Sequence, residues 1–122
     1  MRENEAAPAV SVVVPVRNEA GNIAPLVAEI ERSLAGTSFE IVYVDDGSDD
    51  ATVAEIRRLQ PALPLLRLVR HARSYGQSAA IRSGVKAARG GWIATLDGDG
   101  QNDPADIPAL WHIARGMPAG VS

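Results

Sequence analysis

The sequence predicts an α/β fold: a Rossmann-like, mostly parallel sheet with helices on both faces. Three observations lead there. Short β-branched runs alternate with segments of helical periodicity in the order β-α-β-α-β-α-β-α. The first run, Val10 to Val16, is almost continuously apolar, as expected of a strand covered on both sides. Polar residues gather after each run.

Val10 to Val16 is the first strand. Asn22 to Ala35 then turns helical, with Ile23, Leu26, Val27, Ile30 and Leu34 on one face. Pro25 is expected in the first turn, where a missing N–H is tolerated, and Gly36 follows as a stop. Phe39 to Asp45 is the second strand. Asp49 or Asp50 caps a second helix that carries Val53, Ile56 and Leu59 and ends before Pro61. Leu65 to Val69 is a short third strand. Ser78 to Arg89 is the third helix, with Ile81, Val85 and Ala88 expected inward and Gly90-Gly91 as its stop. Trp92 to Leu96 is the fourth strand, and Asp106 to Arg115 a last helix with Pro108 in its first turn. Residues 1–9 are expected to be a flexible N-terminus ahead of one domain over 10–122. No repeat, low-complexity segment or linker interrupts it.

Composition narrows the function classes. A chain of 122 residues with 46% hydrophobic and 22% charged residues suits one soluble core. Its net charge of -3 provides no overall basic field, so no nucleic-acid partner is expected. The absence of cysteine excludes disulfides, thiolate metal sites and Cys nucleophiles. The N-terminus lacks the basic and apolar regions of a signal peptide. No apolar stretch approaches the roughly 18 residues of a membrane span. Any membrane contact must therefore come from a surface, a partner or a missing segment, and a cytoplasmic setting is expected.

In parallel α/β sheets ligands sit beyond the carboxyl ends of the strands. The candidate residues are therefore those that follow the strands. Asp97 and Asp99 stand two apart at a strand terminus, so both side chains can face one side, and Gly98 allows close approach. Paired carboxylates repel unless a cation joins them, and a hard divalent ion shared with substrate phosphates would do so. Gln101 adds an oxygen. Taken alone, this Asp-x-Asp is better explained as an acidic turn.

Asp46 follows a buried strand, where a carboxylate can accept hydrogen bonds from a base or ribose. Ser48 to Asp50 are read as cap and turn residues, whereas Asp45 and Asp46 exceed that need. Arg17 suits a phosphate and Glu19 a nucleoside hydroxyl or base. A first-turn acid against the helix dipole explains Glu19 equally well. Arg70, His71 and Arg73 could neutralise a diphosphate, though His71 reads better as part of a solvated basic loop. Gly76-Gln77-Ser78 is expected to open the third helix with N–H groups toward an anion. Trp92 and Trp111 read as core or interface fillers and His112 as a surface or packing residue. No Gly-x-Ser-x-Gly, His-Glu-x-x-His or phosphate-binding P-loop motif is present.

Three segments together resemble family 2 glycosyltransferases of the GT-A fold in residue type, order and spacing. They are Val12-Val13-Val14-Pro15-Val16-Arg17-Asn18-Glu19, Ile41-Val42-Tyr43-Val44-Asp45-Asp46-Gly47-Ser48, and Asp97-Gly98-Asp99-Gly100-Gln101-Asn102-Asp103-Pro104. The branch they look most similar to is the dolichyl- or polyprenyl-phosphate sugar transferases, the mannosyltransferase type. The stretch from Gly76 to Gly84 resembles that branch too. The resemblance implies that Pro15, Arg17, Glu19, Val44 and Asp46 line a nucleoside site. It also implies that Asp97, Gly98 and Asp99 hold the donor diphosphate, and that Asp97, Asp99 and Gln101 bind Mg²⁺ or Mn²⁺. Similar enzymes transfer a hexose, with inversion, from a nucleotide-sugar such as GDP-mannose or UDP-glucose to a lipid phosphate at the cytoplasmic membrane face.

The branch often has Ala where this chain has Gly98, and family members run on for about another domain. A chain stopping at Ser122 is therefore expected to be a donor-binding half, with the catalytic acceptor residues and any membrane segments elsewhere. An exposed sheet edge could then drive a homodimer.

Two other classes fit less well. A receiver domain needs an acidic pair after the first strand, where this chain has Val16-Arg17, and a late lysine, whereas the only one, Lys86, precedes Asp97. A dinucleotide-binding domain needs Gly-x-Gly-x-x-Gly there, which Arg17-Asn18-Glu19-Ala20-Gly21 does not supply. A catalytically inactive fragment or nucleotide-binding module is the remaining alternative.

Overall fold

The computed structural model describes residues 7–96. The expected last helix, with Trp111 and His112, lies outside them. The elements are β1 (Val10–Val16), α1 (Ala20–Ser33), β2 (Phe39–Asp45), α2 (Thr52–Leu59), β3 (Leu66–Arg70), α3 (Gln77–Ala87) and β4 (Trp92–Thr95), with a 3₁₀ turn over Gln60–Ala62 after α2. All strand pairs are parallel, in the order β3-β2-β1-β4. The order reverses direction between β1 and β4, and such switch points open a crevice at the carboxyl edge.

Of the two central strands, β1 is buried along its whole length and β2 from Glu40 onward, because both faces are covered. On one face Val12, Val14, Val16, Ile41 and Tyr43 pack with Ile23, Leu26, Val27 and Ile30 of α1 and Ile56 of α2. On the other, Val13, Val42 and Val44 meet Ala80 of α3. The period of two along each strand sends neighbouring residues to opposite helices. Trp92 packs against the larger cluster, as a core filler should.

Two helix readings need correction. First, α1 starts at Ala20, so Pro25 falls in its second turn. The N–H it lacks would have been directed at Gly21, which is exposed, so water can serve that carbonyl. Second, α3 does not turn Ile81, Val85 and Ala88 inward. Its buried residues are Ala80 and Gly84, Ile81 and Ala88 are half-buried, and Val85 is 39% exposed. The reason is distance. A Cβ on Gly84 would lie 2.3 Å from Val13 Cγ1 and 3.0 Å from Val44 Cγ2. The helix lies so close to the sheet that its contact stripe must be small.

At the amino edge of the sheet, Glu40 forms a clasp that the sequence did not reveal. Its carboxylate is 1% exposed and accepts from Ser11 Oγ (2.6 Å), Arg89 N (2.7 Å), Arg67 Nη1 (2.9 Å) and Arg89 Nε (3.3 Å). Arg67 Nη1 also donates to the carbonyl of Ala87, the last residue of α3. Burial pushes the Glu40 carboxyl up, but these donors outweigh it and hold it below its usual range.

Candidate functional site

The loops that follow β1, β2 and β3 meet at the carboxyl edge and are tied to one another. Asn18 sits at φ 56°, a left-handed conformation that asparagine tolerates better than most residues. From there its N–H donates to Ser48 Oγ (2.8 Å) and its Oδ1 accepts from Asp49 N (2.9 Å). One residue on, Glu19 N donates to the buried Thr52 Oγ1 (2.9 Å). The β1–α1 and β2–α2 loops thus form a single rim. Ser48 and Asp49 tie that rim and do not cap α2. Asp50 serves α2 instead, accepting from Thr52 N (2.9 Å) and Thr52 Oγ1 (2.5 Å). Those bonds, the hydroxyl's first, keep its carboxyl below the usual range.

Asp46 organises the third loop. Its backbone N–H extends the sheet to Val16 O (2.8 Å), and its side chain is 7% exposed. Oδ1 meets His71 Nδ1 (2.8 Å) and Tyr75 N (2.8 Å). Oδ2 accepts from Ser74 Oγ (2.8 Å) and Gly76 N (2.9 Å). Burial pushes this carboxyl up, but the four partners reverse the effect and hold it far below the usual carboxylate range. The anion at the start of α3 is therefore the protein's own. Gly47 lies beneath this turn: a Cβ there would approach Ser74 N to 2.5 Å, and its φ is +78°.

His71 is not part of a solvated loop. Its side chain is 12% exposed, and Nε2 lies 2.8 Å from Ser83 Oγ of α3. It carries the Asp46 anchor across to the helix. Arg73 and Tyr75 remain outside, with Arg73 5.3 Å above the Tyr75 ring. Nothing in the residue pattern marks Thr52, Ser74 or Ser83 as rim residues, because lone hydroxyls are common in any loop. Asn18 did carry a signal, as a turn-forming residue straight after a strand.

The residues expected at a nucleoside site fall into two groups. Arg17 is exposed and Glu19 half-buried, its Oε1 accepting from Asn22 Nδ2 (2.7 Å). Pro15, Val44 and Asp46 are buried behind them. Asp45 is buried too. Its Oδ2 accepts from Ser48 N (3.2 Å), while Oδ1 has no hydrogen-bond partner among the described residues. Asp97, Gly98, Asp99 and Gln101 lie outside the described residues. Among those described, no group of three or more metal-ligating side chains occurs, and no helix is long and apolar enough to cross a membrane.

Residues 11–122 match the family described as glycosyl transferase family 2, and the chain belongs to that family. It is 44% identical over 103 residues to a dodecaprenyl-phosphate galacturonate synthase of Rhizobium johnstonii, covering 82% of this chain and 30% of that protein. It is 37% identical over 101 residues to a dolichol-phosphate mannosyltransferase of Pyrococcus furiosus, covering 83% and 28%. Among solved structures it resembles the mannosyltransferase PcManGT of Pyrobaculum calidifontis, described in complex with GDP-Man and Mn²⁺, with a TM-score of 0.72 and 26% identity over 91% of this chain and 34% of that one. The chain thus spans about a third of the length of these relatives.

Proposed function

We propose that this chain forms the nucleotide-sugar-binding part of an inverting glycosyltransferase. The enzyme would move a hexose, mannose or glucose, from a GDP- or UDP-linked donor to a polyprenyl or dolichyl phosphate at the cytoplasmic face of a membrane. The observation that carries this reading is the rim: three loops at the carboxyl edge of a parallel sheet, joined to one another by hydrogen bonds through Asn18, Thr52 and His71. A rim fixed before the ligand arrives lowers the ordering cost of binding. Family membership and the lipid-phosphate transferases among the relatives supply the reaction class.

Within this reading Arg17 offers its guanidinium fork to phosphate and Glu19 its free carboxylate oxygen to the nucleoside. Pro15 and Val44 form the floor. Asp46 acts through the turn it holds, because its own oxygens are already engaged. Leu96, the last described residue, is held to β1 by a bond to Val13 O (3.1 Å), and Asp97 is next in sequence. Asp97, Asp99 and Gln101 form an all-oxygen donor set, which suits Mg²⁺ or Mn²⁺ and would hold the ion beside the donor diphosphate. When bound, such an ion neutralises charge on a departing nucleoside diphosphate. An acceptor phosphate oxygen would form the new bond to the anomeric carbon as the bond to the diphosphate breaks. That oxygen is already anionic, so no protein base is required.

Calorimetric titration of GDP and UDP, with Mn²⁺ and with EDTA, tests the reading on the native chain and on Asp99→Asn. Metal-dependent binding lost in the variant supports it and identifies the base. Metal-independent binding that the variant leaves unchanged removes the Asp97/Asp99 assignment, and no binding by a folded chain removes the donor-site reading.

A further inference from the structure

Charge along the chain is distributed unevenly. Residues 56–96 contain eight Arg or Lys and no Asp or Glu, although the whole chain is net acidic. The fold places much of this segment on one side. Arg67 of β3, Arg73 of the β3–α3 loop, Arg82 and Lys86 of α3, and Arg89 after it all belong to the face that α3 covers. Among the described residues, the carboxylates that reach this face, Glu40 and Asp46, are buried and engaged with groups of that same face. Arg82 and Lys86 are exposed and have no carboxylate partner among the described residues.

The outward side of α3 has a second property. With Ala80 and Gly84 against the sheet, the helical period directs Arg82, Val85 and Lys86 away from it. Val85 is 39% exposed, and Tyr75, just before the helix, is 56% exposed; these are the large exposed apolar side chains of the described residues. Cations interleaved with an aliphatic and an aromatic residue suit a surface that is anionic at the headgroups and apolar beneath them. Nucleic acid would be served by the cations alone.

We infer that the outer face of α3, with Arg82, Val85, Lys86 and Tyr75, docks on an anionic phospholipid surface. This rests on the lipid-borne acceptor proposed above only for the choice of lipid over other polyanions. The axis of α3 runs back from the carboxyl edge, so a helix lying on the bilayer keeps the rim at Ser74–Gln77 near the headgroups. Docking would then hold the donor crevice at the height of a lipid-borne phosphate.

The test is co-sedimentation of the chain with vesicles of phosphatidylcholine alone and of phosphatidylcholine with phosphatidylglycerol. Expected are binding to the anionic vesicles only, its loss at high salt, and binding roughly 30-fold weaker in Arg82→Gln/Lys86→Gln. Arg32→Gln on α1, on the opposite face and with a 66% exposed side chain, should bind as the native chain does. All these positions are on the surface, and circular dichroism confirms that the variants fold. No sedimentation, equal binding to both vesicle types, equal loss in Arg32→Gln, or tighter binding to a duplex oligonucleotide than to vesicles would each overturn the inference. GDP and UDP titration without vesicles reads the donor site independently, so the two readings can fail separately.

Discussion

His71 Nδ1 lies 2.8 Å from Asp46 Oδ1, a contact that spans 25 positions of the chain and joins the end of β2 to the end of β3. The same carboxylate holds the N–H groups of Tyr75 and Gly76. Removing it leaves four part-buried donors without their carboxylate, so Asp46→Ala should cost about 2 kcal/mol of unfolding free energy in urea. His71→Ala removes a single partner and should cost about half of that.

The same carboxyl has a pH signature. Its folded-state value lies well below the unfolded value of about 4. Below about pH 4 the unfolded chain therefore binds a proton that the folded chain does not. The contribution of Asp46 is fully present above that pH and is lost as pH falls toward the folded value. The stability difference between the native chain and Asp46→Asn, measured in urea across an acid series, should shrink below about pH 4.

Gly84 fixes how near α3 comes to the sheet. Gly84→Ala places a methyl 2.3 Å from Val13 Cγ1, and relief requires the helix to lift. A loss of about 1–3 kcal/mol is expected on chemical denaturation. Val13→Ala/Gly84→Ala should recover part of it, because the nearest obstructing methyl is gone while that of Val44 remains. A double variant no better than the sum of the singles would show that the clash is relieved elsewhere.

Asn18 combines a left-handed backbone with two hydrogen bonds. Asn18→Gly keeps the backbone and loses only the bond to Asp49 N. Asn18→Val also incurs strain, so it should be less stable than Asn18→Gly by about 1–2 kcal/mol. Nucleoside diphosphate affinity should fall in the same order, if the rim is the donor wall. Calorimetry on the pair reads both.

Much of the fold is legible in the residues. Val10–Val16 and Phe39–Asp45 occupy the bounds the sequence predicts, because a β-branched run has few other uses. The face of α1 is also as expected, since Ile23, Leu26, Val27 and Ile30 repeat at helical spacing. The face of α3 was misread for a physical reason: a hydrophobic pattern weighs side-chain size, whereas close packing selects against it. The rim was half legible. Asp46 stood out as an acid in excess of capping needs, but its partners Ser74, Tyr75, Gly76 and His71 depend on a loop path that sequence spacing does not encode.

Helix α3 is fastened at both ends by carboxylates it does not itself carry, Asp46 at the N–H of Gly76 just before its first turn and Glu40, through Arg67 and Ala87 O, at its last. Between these ends its contact with the sheet is shallow, built on Ala80 and Gly84. A helix held this way has little reason to fray residue by residue. Its amides should instead exchange with solvent as one cooperative unit, opening before α1, whose wide aliphatic face anchors every turn. Acid would weaken both fastenings together, since both carboxyls sit below their usual range. At low pH this side of the molecule should therefore come loose first, while the α1 side keeps its slow-exchanging core.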